Sequence, residues 1–203
     1  MVFGAGGHAR SVIDVLERAG ERVVAVSGEP GGWPWHVEVL PDEAAAIDLV
    51  TAGDLLACVA IGAPAPRARL VATLLARGVS LPPVVAVTAT VAPNSRLGAG
   101  TVVLEHAHVG PGSRLGLGVV VNTAAVVEHD CVVGDAAHVA PGAVLLGGAS
   151  VGESTLVGAG ARVLPGVHVG SFATVGAGAV VVSRVRDGDT VVGVPATARG
   201  AGG

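Results

Sequence analysis

The chain has 203 residues, enough for one large domain or two small ones. Hydrophobic residues make up 51% of it and mean hydropathy is +0.68, yet there are 32 Gly, two Phe, two Trp and no Tyr, so a core must be filled by small aliphatic side chains in a regular arrangement. A formal charge of −4, no basic run and 12 basic residues that are all Arg exclude nucleic acid and an anionic membrane surface as the main partner.

The first third alternates strand and helix. "MVFGAGGHARSVIDVLERAG" reads as a short strand, a Gly-rich turn and a helix with Val12, Ile13 and Leu16 on one face. "RVVAV" is a second strand, "PDEAAAIDLVTAG" a helix, "LLACVAIG" a third strand and "PRARLVATLLARG" a further helix. This alternation predicts a small parallel sheet with helices on both faces over residues 1–80, joined by "LPP" at 81–83 to whatever follows. Gly4, Gly6 and Ala9 have G-x-G-x-x-A spacing directly after a strand, where backbone N–H groups and a helix N-terminus can meet a phosphate. Fewer than eighty residues supply only half of a dinucleotide site, so the expected ligand is mononucleotide-sized, such as a nucleotide-sugar.

From Val91 the sequence keeps time in sixes. Leu97, Val103, Val109, Leu115 and every sixth residue onward to Val181 are Val or Leu, sixteen positions without a slip. Four residues after each stands a residue such as Ser95, Ala107, Ala125 or Cys131, and Gly, Asn and Asp collect between them. A helix repeats every 3.6 residues and a simple strand every two, so six matches neither. It fits one side of a triangular parallel β-helix, with three hexapeptides to a coil and residues 18 apart stacked. Val163 to Ser183 has no Asp, Glu, Lys or Arg and is long enough to cross a bilayer, but Pro165, four Gly and the same rhythm argue against a membrane span.

Polar residues gather in "VVEHDCVVGDAAHVAPGA", Val126 to Ala143. Cys131 occupies a small inward position, so it reads as core; with Cys58 it suggests two free thiols in a reducing cytosol, with no secretory signal ahead of them. Asn122 and Asp130 sit in slots where Gly is frequent, and each is open to being only a turn residue with positive φ. His129 lies in a turn with Pro111 one coil before and Gly147 one coil after, which leaves room around its imidazole. A histidine beside a carboxylate that fixes its tautomer is what a general base requires. His138, nine residues on, falls on another side of the triangle.

Together "GAGGHA" at the start, "AIG" at 60–62, the stretch Asn122 to Ala143 and "GVPA" at 193–196 resemble the bacterial sugar-nucleotide N-acetyltransferases and sialic acid O-acetyltransferases, members of the hexapeptide-repeat acyltransferases. The resemblance implies a small Rossmann-like nucleotide-sugar-binding domain at 1–80 and a left-handed β-helix with a C-terminal tail at 84–203. It implies His129 as base, with Asp130 tuning it. His138 would contact acetyl-CoA, and Gly147, Ala159 and Ala177 would line the CoA groove. Gly6, Gly7, His8, Gly62 and Asn122 would hold the acceptor. It further implies a cytoplasmic homotrimer with active sites between β-helices and no metal. Where the family often carries two acidic residues after its second strand, this sequence has Ser27 and Gly28, with Glu29 next; the basic residue after "GVPA" is Thr197, with Arg199 nearby.

The expected reaction is acetyl transfer from acetyl-CoA to a nucleotide-linked 4-amino-sugar, with a sugar or sialic acid hydroxyl as the alternative acceptor. Two rivals come from other classes. A zinc-dependent β-helix lyase needs three converging histidines, but His106, His108, His129, His138 and His168 have pair separations of 30, 32 and 39, none a multiple of 18. A non-catalytic solenoid offers no reason for a His–carboxylate pair in a turn.

Overall fold

The computed structural model describes residues 1–32, 34–53 and 55–199; the end of the 84–203 segment, residues 200–203, lies outside them. The first unit is a four-stranded parallel sheet of β1 (Val2–Phe3), β2 (Ala25–Ser27), β3 (Glu38–Leu40) and β4 (Cys58–Val59), in the order β3-β2-β1-β4. Three helices flank it: α1 (Gly7–Arg18), α2 (Glu43–Ala52) and α3 (Pro64–Ala76). Strand side chains alternate between faces, and here that alternation divides two cores. Val2 packs with Val12, Ile13 and Val15 of α1, whereas Phe3 packs with Ile47 of α2 and Leu70 and Leu74 of α3.

Two details differ from the sequence expectation. The second strand begins at Ala25 rather than Arg22, because its parallel partner β1 starts only at Val2, opposite Val26, and it ends at Ser27, where β1 gives way to Gly4 at φ +130. A Cβ on Gly4 would also overlap the Ala60 carbonyl, so this glycine is required for packing. The edge strand β3 was not expected; the alternation of Val37 and Val39 in "HVEV" is its only local signal.

Strands β5 (Val84–Val85) to β21 (Val180–Val181) then recur every six residues, seventeen two-residue strands at three to a coil. Residues 18 apart pair in parallel, as Val102 with Val120 and Val120 with His138. Three sheets result. One side runs through β7 (Arg96–Leu97) to β19 (His168–Val169), a second through β5, β8 (Val102–Val103), β11 (Val120–Val121) and β14 (His138–Val139), and a third through β6 (Thr90–Val91) and β12 (Val126–Val127) to β21. The second side continues into β22 (Thr190–Val192) and β23 (Thr197–Ala198). The recurring Val or Leu is the inward residue of each strand, and the residue four later points in beside it: Ala107, Ala125, Cys131 and Ala137 are all at most 1% exposed. The third residue after each Val or Leu, from Gly100 to Gly178, has positive φ whether it is Gly or not, as His106, Ala124 and Asp130 show. Val163 to Ser183 is four of these strands and their turns, and among the described residues no helix is long and apolar enough to cross a membrane.

The two units share a core. Val84, Val102, Leu104 and Val120, on the second side of the prism and its adjoining turn, pack in one cluster with Val2, Ala5, Val12 and Val15. The sheet unit therefore sits on that side, at the first coils.

Candidate active site

His129 stands in the turn between β12 on the third side and β13 (Val132–Val133) on the first. Its Nδ1 lies 2.9 Å from Asp130 Oδ2, with both side chains exposed (59% and 73%). Asp130 has φ 58, so its turn reading holds alongside its contact with the imidazole. With Nδ1–H donating to the carboxylate, Nε2 is left as the basic atom. That atom lies against Gly147 of the next coil, where any Cβ would overlap it. An exposed pair like this contributes little to stability, so its geometry speaks for chemistry more than for folding.

Cys131, next in the chain, is fully buried among the inward residues, and its Sγ lies 3.4 Å from the Leu146 carbonyl. Burial pushes its thiol pKa up, away from the reactive thiolate.

A second group forms where the sheet unit meets the prism. His138 projects from β14 toward the loop after β4, its Nδ1 3.2 Å from the Gly62 carbonyl. Its Nε2 lies 3.0 Å from Asn122 Nδ2, while Asn122 Oδ1 accepts the Thr123 N–H at 2.8 Å. The latter bond orients the amide, so Nδ2 donates to Nε2 and the proton of His138 resides on Nδ1. Asn122 does not have positive φ; in its turn that conformation belongs to Ala124, so the turn-residue reading of Asn122 is corrected. Glycine is frequent in the Asn122 slot for another reason: in the equivalent turns a Cβ on Gly110 or Gly158 would strike the coil above.

His8, at the start of α1, brings its ring centroid to 6.2 Å from that of His138. Its Nε2 is buried without a hydrogen-bond partner, and burial, with His138 and Arg67 nearby, lowers its pKa to about 4. Burial, then the Arg67 charge, lowers that of His138 too. Gly6 caps α1 in extended conformation, and a Cβ at Gly6, Gly7 or Gly62 would meet no protein atom within 4 Å. The Gly-rich turn thus divides its labour. Gly4 and the buried Ala9 pack strand against helix, and Gly6 and Gly7 present open backbone.

The expected site residues therefore fall into separate places on one chain. His129, Asp130 and Gly147 share the turns between the third and first sides. His8, Gly62, Asn122 and His138 converge beside the sheet unit. Ala159 and Ala177 lie exposed in the turns between the second and third sides, one coil apart. Ser27 is buried and Gly28, at φ +137, backs onto Ala5, so neither position offers a carboxylate and the nearest is that of the exposed Glu29. Arg199 is exposed just beyond β23. Sequence reasoning missed Arg67, wholly buried between the two units. Among the described residues no three His, Cys, Asp or Glu side chains gather in metal-binding geometry.

Residues 1–74 match the family model described as the PglD N-terminal domain. Among solved structures, PerB from Caulobacter crescentus, in complex with CoA and GDP-perosamine, is 40% identical over 98% of this chain and 96% of its own, with a TM-score of 0.92. GDP-perosamine N-acetyltransferase of the same bacterium, with a histidine replaced by alanine, superposes with a TM-score of 0.93 at 39% identity over 98% of this chain and 95% of its own. The acetyltransferase domain of PglB from Neisseria gonorrhoeae, in complex with acetyl coenzyme A, is 35% identical over 98% and 97% of the two chains, with a TM-score of 0.89. No match was found among the curated protein sequences. These superpositions extend over both units, and the prism is a left-handed β-helix.

Proposed function

The chain belongs to the sugar N-acetyltransferases of the hexapeptide-repeat family, and from that premise we propose that it acetylates the amine of a nucleotide-linked 4-amino-sugar, with His129 as general base. The observation that carries the assignment is the His129 Nδ1 to Asp130 Oδ2 contact of 2.9 Å, which leaves Nε2 basic and exposed. GDP-perosamine, bound by the Caulobacter relative, is the first acceptor to try.

In this reading the acceptor nitrogen attacks the thioester carbonyl carbon of acetyl-CoA, forming the C–N bond and a tetrahedral oxyanion. The backbone N–H of Gly147 would stabilise that oxygen, and Nε2 of His129 takes the proton from nitrogen. The intermediate collapses by breaking the C–S bond, and the imidazolium returns its proton to the CoA sulfur. Asp130 keeps the Nδ1 proton in place and stabilises the imidazolium.

We assign residues 1–80 to holding the nucleotide-sugar, through Gly6, Gly7, His8 and Gly62, and residues 84–203 to the chemistry. His129 and Asn122 lie at opposite ends of β12, so a complete site is best supported by a homotrimer in which the His129 turn of one chain faces the His138 group of the next. Gly147 would then line the CoA groove from one chain, and Ala159 and Ala177 from its neighbour. Of the six outward residues of the third side, Val126, Val144 and Val180 are aliphatic, beside Thr90, His108 and Arg162, a mixed surface of the kind a subunit contact can use. An activated sugar and acetyl-CoA as substrates support a cytoplasmic location.

The test is a product screen by mass spectrometry with acetyl-CoA against GDP-, UDP- and dTDP-linked amino sugars. One product heavier by an acetyl group on nitrogen is expected, with His129→Ala slower by about 10²–10⁴-fold. No acetylated amine from any donor–acceptor pair, or full turnover by His129→Ala, sinks the assignment.

A further inference from the structure

We propose that Arg67 is a positioning residue of this enzyme: its guanidinium ties the Ile61–Gly62 loop to two coils of the β-helix and, through the Gly62 carbonyl it shares with His138, holds that imidazole as the neutral Nδ1–H tautomer. The proposal rests on the reading of Gly62 and His138 as parts of the transferase site.

Arg67 lies in the first turns of α3 and is 0% exposed. An arginine has five N–H donors, and here each direction of the fork is met by main-chain oxygen. Nε donates to Gly118 at 2.7 Å, Nη1 to Ile61 and Gly62 at 2.7 Å each, and Nη2 to Ala136 at 2.7 Å and Ala137 at 3.3 Å. Among the described residues no carboxylate takes part. A buried cation without a counter-ion is costly unless dipoles replace its hydration, and five carbonyls converging on one group supply that replacement. Burial draws the Arg67 pKa down to about 10, so it stays charged at neutral pH. Lysine offers three donors from one point and cannot span these five acceptors.

The carbonyls come from three separate segments. Ile61 and Gly62 form the loop after β4. Gly118 closes the turn before β11, and Ala136 and Ala137 close the equivalent turn one coil later, directly before His138. Gly62 accepts twice, from Arg67 Nη1 and from His138 Nδ1. The other ring nitrogen already accepts from Asn122 Nδ2. Protonating Nε2 would turn N–H against N–H, beside a buried cation. The groups with charge or titration that bear on His138 are Arg67 and, across the tilted ring contact, His8. The Arg67 charge opposes a proton on His138, as does burial, whereas His8 is neutral above about pH 4 and adds no charge of its own. His138 is accordingly neither acid nor base in the reaction. It orients Asn122, whose second Nδ2 hydrogen is left to point at a substrate.

The experiment uses full-length protein with ¹⁵N-labelled histidine. Long-range ¹H–¹⁵N spectra report the tautomer and titration of each imidazole, and Arg67→Met and Arg67→Lys are compared with wild type. In wild type, His138 is expected as the Nδ1–H form, titrating below the ordinary histidine value. In either variant the tautomers should mix, and in Arg67→Met, which removes the charge, titration should move up toward the ordinary histidine value, while in both acceptor KM rises about tenfold or more and kcat changes less. If Arg67→Met does not fold, Arg67→Lys, which keeps the charge but not the fork, carries the comparison. A folded variant with unchanged His138 spectra and unchanged acceptor KM overturns the proposal. Because the spectra need no turnover, a wild-type protein that acetylates no amino sugar would fail the functional reading alone.

Discussion

The imidazole of His129 rests on the bare backbone of Gly147, and a methyl group at that glycine would occupy the place of Nε2. The two residues are 18 apart, one coil of the prism, so the repeat that builds the fold also places a glycine under the base.

Gly147→Ala should therefore separate fold from activity. Gly147 does not have positive φ, so alanine meets no backbone strain there. The three nearest atoms it would meet belong to an exposed imidazole, which can swing aside at a stability cost of under about 1 kcal/mol. Swinging aside takes Nε2 from the acceptor, and kcat should fall by about 10²–10⁴, as for loss of the base. Chemical denaturation and steady-state kinetics measured together check it; retained kcat would mean that Nε2 does not work from this position.

Cys131→Ala should do the reverse. The thiol is buried in the column of inward residues and its pKa is raised, so no reactive thiolate is at hand. Removing sulfur from the packed column costs on the order of 1 kcal/mol, with turnover nearly intact. A loss of activity by orders of magnitude in a folded variant would point to thiol chemistry.

The sequence discloses those parts of the molecule in which one local problem repeats. Every hexapeptide must turn one side of the prism with two strand residues and one left-handed residue, so a period of six is visible without any long-range contact. His129 and Asp130 are legible because they are neighbours in the chain. The gathering of His8, Gly62, Asn122 and His138 is not, because it depends on where the sheet unit docks. Arg67 is least legible of all: in "PRARLVATLLARG" it looks like any helix arginine, and its distant acceptors are backbone carbonyls 51 to 70 residues away, which carry no side-chain signature. The edge strand β3 escaped because three residues pairing with one neighbour need little local propensity.

Acid should loosen the junction between the units before it touches the prism. The pKa of His8 is lowered from 6.5 to about 4 in the folded chain, chiefly by burial, and that of His138 is lowered as well. Between those values the unfolded chain binds a proton that the folded one refuses. Stability is thus fully present above pH 6.5 and lost as pH falls toward 4, by at most roughly 3 kcal/mol for His8 at 1.36 kcal/mol per pKa unit. Urea midpoints measured from pH 7.5 to 4.5 should fall, and His8→Asn should flatten the dependence. An unchanged slope in that variant would mean that His8 is solvated and titrates normally.

The position of His129 and His138 on different parts of the prism yields the sharpest test of assembly. Within one chain, β12 and its flanking turns separate the His129–Asp130 pair from the Asn122–His138 group. If a site takes His129 from one chain and His138 from the next, His129→Ala and His138→Ala homotrimers are each defective at all sites. Unfolding and refolding the two together gives mixed trimers, and in each of these one interface pairs an intact His129 with an intact His138. Assayed with substrate well below KM, where the binding defect of His138→Ala shows as lost rate, an equal mixture should therefore recover about a quarter of the wild-type rate, above what either parent gives. Recovery must track the formation of mixed trimers, read by native mass spectrometry, and must vanish when one partner carries both substitutions. If mixing restores nothing while mixed trimers form, each chain completes its own site and the shared arrangement is wrong. If light scattering finds a monomer at micromolar concentration, no neighbour is available to complete it.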